Sequence, residues 1–495
     1  MALNSTHIQG LQGVEWGSLH RLSICFHDYV SSSKGVKLAG IVLLWLLAIS
    51  FFQPKRPRIP GAQVHGSRGW WEPSFLLKTR FIYDAYNIIN SGYVKSPMTS
   101  LPYAYTNFNI TVQGCSFRGA SSRYRHSCHS NENLFRSWPW ASVIRDSDLH
   151  VTVLTKKLNP DVTKYGAEVD IQYIMRMLVA RMSAKVFVGD PACRDPTWLN
   201  LTLNFSLDLF LAGFALRMFP PWMHFLVKPL VPARWRVQRQ IEIGTEVVRQ
   251  YMLKREDRAK LGGSTAVGSE GSLEEMAARQ CILTLASIHT TAMTVAYALF
   301  DIIAHSEWVA VLRDEIDEAL KTHGELGQDM PVKQWLQHLE KMDSFILESQ
   351  RHNPPILLTP RRIAMVLLTL KDGTYIPKGT RIAWAGPQHA FDPVITPDPD
   401  KFDPMRSYRK RHNGNGQNLH KFMVGQSDPD NMSFGYGGQV CPGRYLAVGE
   451  IKLVLMRLLQ EFDFASPKGN VRPRSIYADE NVLLNPYAKV MMKKR

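Results

Sequence analysis

Phe434-Gly435-Tyr436-Gly437-Gly438-Gln439-Val440-Cys441-Pro442-Gly443 sets the last of six cysteines in a glycine-dense loop, and the apolar-periodic stretch that follows, Arg444 to Phe462, reads as a helix. Glycines reach left-handed backbone and let a flat ligand come close to the chain. A sulfur at a helix N-terminus, ringed by N–H donors, is held as thiolate, the form that ligates iron. The plainer reading is a core cysteine beside a glycine turn. What lies outward from the loop separates the two.

Upstream stands Glu348-Ser349-Gln350-Arg351, with Pro354-Pro355 ending its helix and Phe402-Asp403-Pro404-Met405-Arg406 between it and the cysteine. Residues three apart share a helix face, so a carboxylate and a guanidinium can pair there. Alone such a pair is uninformative, because most solvated helices carry one. Further upstream, Ser272-Leu273-Glu274-Glu275 fits a capping box, and no Gly or Pro follows before Gly324. Thirty such residues span about 45 Å, enough to cross a domain. Ala286-Ser287-Ile288-His289-Thr290-Thr291 lies in that stretch. A hydroxyl in mid-helix often does no more than bond the preceding turn.

From about Ile171 the chain is mostly helical, with amphipathic segments at Ile174 to Phe187 and Trp198 to Met218. The proline-aromatic stretch Phe219 to Pro232 comes next, then a helix to about Arg258 and a Gly/Ser-rich loop, Gly262 to Gly271. Strand character comes later. Arg362 to Leu370 is β-branched and apolar, Lys371-Asp372-Gly373-Thr374 is a turn, and Thr380 to Trp384 is extended again. The expected fold class is therefore mainly α with a small β portion.

Phe434-x-x-Gly437-x-x-x-Cys441-x-Gly443 resembles the haem-ligand loop of the cytochrome P-450 family, and Glu348-x-x-Arg351 followed by Arg406 resembles its helix lock. The resemblance covers roughly residues 36 to 490 and is strongest from Ile171. It implies a triangular helical prism around a buried haem b, with Cys441 as the axial ligand to iron and Phe434, Gly437 and Gly443 shaping the loop. Glu348, Arg351 and Arg406 would hold the proximal wall as structural residues. Ala286 to Thr291 is similar to the helix segment that passes over the haem, which makes Thr290, with Thr291, the hydroxyl that helps deliver protons. Ser287 replaces a glycine there and His289 an acid. Imidazole relays protons near neutrality, so His289 joins the expected catalytic residues. Arg361 stands where a haem-propionate partner is common, and Gln439 where an Arg or His commonly meets the propionate. The family's Trp-containing helix has no clear counterpart; Trp138, Trp140, Arg145 and His150 lack its spacing.

The implied activity is monooxygenation of a lipophilic small molecule, with electrons from NADPH through a cytochrome P-450 reductase. Ala180 to Trp198 and the ligand loop look similar to fungal members of specialised, terpenoid-type metabolism. Two alternatives stay open: a haem-thiolate isomerase or dehydratase that needs no reductase, and an inactive haem-binding paralogue.

Leu38 to Phe52 is an uncharged run bounded by Lys37 and Gln53-Pro54-Lys55-Arg56-Pro57-Arg58. Fifteen residues make about 22 Å of helix, which thinner endoplasmic-reticulum bilayers tolerate. Residues 38–53 are expected to be a single transmembrane anchor after a lumenal 1–37 segment. Residues 54–61 form a stiff, basic, proline-rich hinge. The cations behind the run cluster more tightly than those ahead of it, which places the single catalytic domain, 62–495, in the cytosol.

Of the 495 residues 45% are apolar and 21% charged, which excludes collagen, low-complexity disorder and a multi-pass bundle. Six scattered cysteines do not make a disulfide scaffold. A net charge of +16 attracts nucleic acid, anionic membrane or an acidic protein. No nucleic-acid motif is present, which leaves membrane and partner. Arg409-Lys410-Arg411 would suit an acidic reductase, and Phe219 to Val231, with Lys228, a membrane surface. Residues 103–148 are polar and without period, either a genuine insertion or a gene-model artefact. Cys115, His126, Cys128 and His129 within them match no closed metal pattern, so a solvated loop is the better reading.

Overall fold

A computed structural model describes residues 74–95, 103–104, 167–189, 192–217, 219, 223–260, 272–369, 375–413, 416–467, 469 and 471–495. The segments read as lumenal (1–37), anchor (38–53) and hinge (54–61) lie outside the described residues, as does 105–148 with its Cys/His group. The chain divides into two compact units whose boundary falls between Phe81 and Ile82. Everything below concerns the unit that contains Ile82 to Arg495.

In chain order the helices and strands begin with α1 (Ser74–Lys95), β1 (Tyr103–Ala104), β2 (Ala167–Val169), α2 (Ile171–Phe187) and α3 (Pro196–Arg217). Next are α4 (His224–Val227), α5 (Pro232–Lys260), α6 (Leu273–Ala304), α7 (Glu307–His323), α8 (Val332–Gln337) and α9 (Glu340–His352). The β-rich part holds β3 (Arg361–Ile363), β4 (Leu368–Thr369), β5 (Tyr375–Ile376), β6 (Arg381–Ala383) and the short α10 (Gly386–Ala390). Last come α11 (Arg406–His412), α12 (Arg444–Glu461), β7 (Phe462–Ala465), β8 (Ile476–Ala478), β9 (Asn481–Leu483) and β10 (Val490–Lys494).

The long helix α6 is the axis. Ser272 caps it, its Oγ accepting the Glu275 N–H at 3.2 Å. Orphan first-turn donors make such a cap worth about 1 kcal/mol. The helix then runs 32 residues, roughly 48 Å at 1.5 Å per residue. It packs against α2, α5, α12, α9 and α3. From α2, which starts at an Asp170 cap, Ile174, Met175, Leu178 and Met182 enter the same core at helical spacing. α12 adds Ile451, Val454, Leu455 and Leu458. The apolar faces of α2 and α12 thus find α6 across intervening stretches of 85 and 139 residues.

Between Ala304 and Glu307 the chain turns without Gly or Pro, at His305 (φ −120°, ψ 58°). That break has no local signal; the His305 ring stacks on Phe402 at 4.4 Å, a contact from far along the chain. Two helices, Pro196–Arg217 and Glu274–Ala304, are long and apolar enough to cross a membrane by length and composition alone, and both pack within this helical body.

The strands form two three-stranded antiparallel sheets, β1-β6-β3 and β2-β10-β7, and two ribbons, β4-β5 and β8-β9. Tyr103 pairs with Ala383, so the segment read as irregular begins as an edge strand. The run read as one strand from Arg362 to Leu370 is instead two short strands, with Met365, Val366 and Leu367 exposed between them. β-Branched apolar runs resemble buried strands, but burial depends on what covers them.

Candidate functional site

The cysteine loop is closed by its own backbone. The Cys441 N–H donates to the Phe434 carbonyl at 2.8 Å, and the Val440 N–H to Gly437 at 3.0 Å. Gly435 (φ +80°) and Gly437 (φ +70°) take the left-handed backbone that this closure needs. A Cβ at Gly437, Gly438 or Gly443 would meet nothing within 4 Å, so the loop borders open space. Cys441 is half-buried, is in no disulfide, and lies three residues ahead of α12 at the positive end of its dipole. Phe434 leans on the main core.

On α6, Ala286 and Thr290 are exposed one turn apart while Ile288, Thr291 and Ala292 are buried. A core helix with one small-residue face left open is shaped for a group that packs there. Thr290 Oγ1 donates to the Ala286 carbonyl at 2.7 Å, and Thr294 Oγ1 to the Thr290 carbonyl at 2.9 Å. Thr290 therefore stands on the open face with its hydroxyl turned back onto the preceding turn, as the plainer reading of a mid-helix hydroxyl has it, whereas Thr291 is sealed in the core.

His289 differs from the expectation. Burial pushes its imidazole down to about 4, the Arg176 charge adds to the fall, and a hydrogen bond with the Leu203 backbone only partly opposes it. Its Nε2 has no partner. The ring is neutral across the physiological range rather than titrating near neutrality, because α6 packs it away from water.

Glu348, Arg351 and Arg406 do come together. Arg351 donates through Nε and Nη2 to the two Glu348 oxygens at 3.0 and 2.8 Å. Arg406 Nε lies 3.5 Å from Glu348 Oε2, and the Asp403 N–H donates to Oε1 at 2.9 Å. Burial alone would raise the Glu348 carboxyl, yet the His352 ring 3.6 Å away, the hydrogen bonds and charge of Arg351 and the Asp403 N–H hold it down to about 2. The sequence reading missed His352, although its i,i+4 spacing from Glu348 was a usable signal. Phe391 supports the lock by lying 4.6 Å from the Arg351 guanidinium.

Arg361 and Arg362 part company. Arg361 Nη1 pairs with Glu480 at 2.5 Å, while Arg362 Nη2 donates to the Tyr436 carbonyl of the cysteine loop at 2.5 Å. Adjacent residues of a strand face opposite sides, so only one of them reaches the loop. Gln439 is exposed on the loop. In the run Arg409-Lys410-Arg411, Arg411 is buried on Glu340 and the Leu419 carbonyl, Arg409 pairs with Asp403, and Lys410 is exposed.

Two buried polar clusters also escaped the sequence reading. Lys452 on α12 bonds Asp343 at 2.6 Å and the carbonyls of Leu336 and Leu339 at 3.1 Å each. The second oxygen of Asp343 accepts the Val424 N–H at 2.9 Å. Asp301 on α6 is held by Arg472, Ser349 and Asn353. Among the described residues no group of three metal-ligating side chains occurs.

A lone sulfur donor on an open glycine loop, a small-residue helix face and a buried carboxylate–guanidinium lock fit an iron porphyrin and define a haem-thiolate protein. Residues 154–492 match the family model described as Cytochrome P450. The chain is 39% identical to Cytochrome P450 monooxygenase ATR4 of Stachybotrys chlorohalonatus, over 93% of this chain and 95% of that protein. It is 35% identical to Cytochrome P450 monooxygenase sdnB of Sordaria araneosa, over 89% of each, and 34% identical to Ent-kaurene oxidase P450-4 of Gibberella fujikuroi, over 87% and 92%. The chain belongs to the cytochrome P450 family, whose members hold haem b through a cysteine thiolate. It is a haem-dependent monooxygenase with fungal relatives, and the mainly helical fold with a small β portion is that of the family.

Proposed function

We propose that this enzyme oxidises a terpenoid-type hydrocarbon skeleton at the endoplasmic-reticulum membrane. Its anchor is residues 38–53, its catalytic domain faces the cytosol, and its electrons come from an NADPH-dependent reductase. Cys441 is the proposed iron ligand. Haem b, when bound, supplies the activation of dioxygen and the transfer of one oxygen atom to the substrate. Thr290 hands on protons along the open face of α6. His289 acts beside it as a neutral hydrogen-bonding group and not as a charged relay. Glu348, Arg351 and Arg406 keep the wall behind the loop rigid, and Gln439 lines the approach to the haem edge on the side that Arg362, rather than the Glu480-paired Arg361, reaches.

The observation that carries this reading is the Cys441 loop, closed on Phe434 and open toward Gly437 and Gly443. The terpenoid assignment is supported by relatives named ent-kaurene oxidase. Support for the membrane comes from large apolar side chains left exposed on and just after α4, with Phe225 71% and Leu230 77% accessible, and on α3, where Phe210 is 61% accessible. Reductase docking is supported by Lys333 and Arg444, which both lie over the Tyr445 ring, and by exposed Lys410.

Microsomes that carry the enzyme and a reductase should show the thiolate-type band of the reduced carbon-monoxide complex, and Cys441→Ser should abolish both the band and turnover. Retention of either in the variant refutes the ligand assignment. Deleting the gene should remove an oxygenated terpenoid from the strain's metabolites, and an unchanged terpenoid profile refutes the substrate class.

A further inference from the structure

Arg444 is the first residue of α12, three positions after the cysteine, and it is half-buried. Its Nη1 donates to the Cys441 carbonyl at 2.9 Å. The guanidinium lies 4.4 Å from the centre of the Tyr445 ring, and Nη2 donates to the Tyr445 hydroxyl at 3.3 Å. A carbonyl, a ring face and a hydroxyl thus hold the charge in one place beside the sulfur-bearing residue. Lys333 Nζ lies 5.9 Å from the centre of the same ring and adds a second cation.

That placement runs against local preference. The N-terminus of a helix is the positive end of its dipole, where an acid is favoured and a cation is not. α6 follows the rule with Glu274 and Glu275 in its first turn, whereas the first turn of α12 holds no acid. Breaches of a local rule concentrate at functional sites. Here the helix terminus and the guanidinium add their positive potentials on one residue, Cys441.

Distance decides whether this field matters. Covalent geometry keeps the carbonyl oxygen and the sulfur of a cysteine within about 4.5 Å, so Nη1, 2.9 Å from that oxygen, is at most about 7.5 Å from Sγ. That is inside the screening length of about 8 Å at physiological ionic strength. We propose that Arg444 is a positioning residue that acts through Cys441: its charge stabilises the anionic sulfur, weakens the donation to iron and so makes the haem easier to reduce. The step is the addition of one electron from the reductase to ferric iron; no bond breaks, and the added negative charge is what the guanidinium favours. The inference rests on Cys441 as the iron ligand. A unit charge at about 7.5 Å, in a dielectric between those of a protein surface and of water, is worth on the order of tenfold in the ferrous-to-ferric ratio.

The test is a dye-mediated potentiometric titration of the haem-loaded full chain in detergent, without reductase, so that docking plays no part. Arg444→Gln, which keeps a side-chain donor, should lower that ratio about tenfold at a given potential, a fall of about 59 mV in the midpoint for one electron. Arg444→Lys should leave the midpoint near the parent value, and Arg444→Glu should lower it about twice as far as Arg444→Gln. Because an acid suits the first turn, the Glu variant should be no less stable to urea than the Gln variant. The inference is overturned by a midpoint unchanged in Arg444→Gln or Arg444→Glu, by an equal fall in Arg444→Lys, or by loss of haem from both the Gln and Glu variants, which would mark Arg444 as structural. The carbon-monoxide band keeps this apart from the ligand assignment. A parent without the thiolate-type band refutes Cys441 as ligand and this inference with it, whereas a parent with the band and an unmoved midpoint in the variants refutes the inference alone.

Discussion

Glu348→Gln removes the negative charge that Arg351 and Arg406 share inside the protein. The carboxyl is 4% exposed, so solvent screens it little. Its ionisation falls from an ordinary 4.5 to about 2. At about 1.4 kcal/mol per pH unit, that depression makes the charged form contribute about 3 kcal/mol to the folded state. The figure agrees with the 3–5 kcal/mol usual when one partner of a buried ion pair is removed. Because the folded value lies below the unfolded one, the contribution is complete above about pH 4.5 and is lost as pH falls from there towards 2. Urea unfolding of the haem-loaded protein from pH 3 to 7 reads both quantities. The variant should lose about 3 kcal/mol at pH 7, and this deficit should shrink as the pH approaches 3. Haem retention should fall with it. A variant as stable as the parent at pH 7, or a deficit independent of pH, would refute the reasoning that the lock works through charge.

Glu450 runs the other way: burial pushes it up to about 8, opposed only by the Ser183 hydroxyl 3.3 Å away. The folded state holds a proton that the unfolded chain gives up near 4.5, so stability drains away as pH rises from about 4.5 towards 8. Glu450→Gln should thus be more stable than the parent at pH 8 and about equal at pH 4, as chemical unfolding at the two values will report. Lys452→Met strands Asp343 at 2% exposure and should cost about 3–5 kcal/mol in the same assay. Thr290→Ala should lower product formed per NADPH consumed, whereas His289→Gln should keep the shape of the turnover profile between pH 6 and 8; a lost ionisation in that interval would return His289 to the relay.

Local signals in the sequence were strong where a few neighbouring residues decide the structure. Glycines at 435 and 437 anticipate the left-handed turns of the cysteine loop. Ser272 and Glu275 announce the start of α6, and the periodic apolar residues after Arg444 announce α12. The order Glu348, Arg351, Arg406, cysteine could be read as a lock because helix spacing brings the first two together. Other features were illegible for a common reason. The turn at His305 rests on Phe402, and the exposure of Met365 to Leu367 on what does not cover them. The removal of Arg411 from the surface depends on Glu340, 71 residues earlier.

The chain by itself determined a helical body with a short β portion, a sulfur donor on a turn built from glycines, and an acid and an arginine one helical turn apart. These depend on backbone preference and on residues within a turn of each other. Tertiary packing alone decided that His289 stays neutral, that Arg362 and not Arg361 reaches the loop, and that Lys452 finds Asp343. Burial and the choice of charge partner are set by segments that meet only in the folded protein, and desolvation has no magnitude until they do.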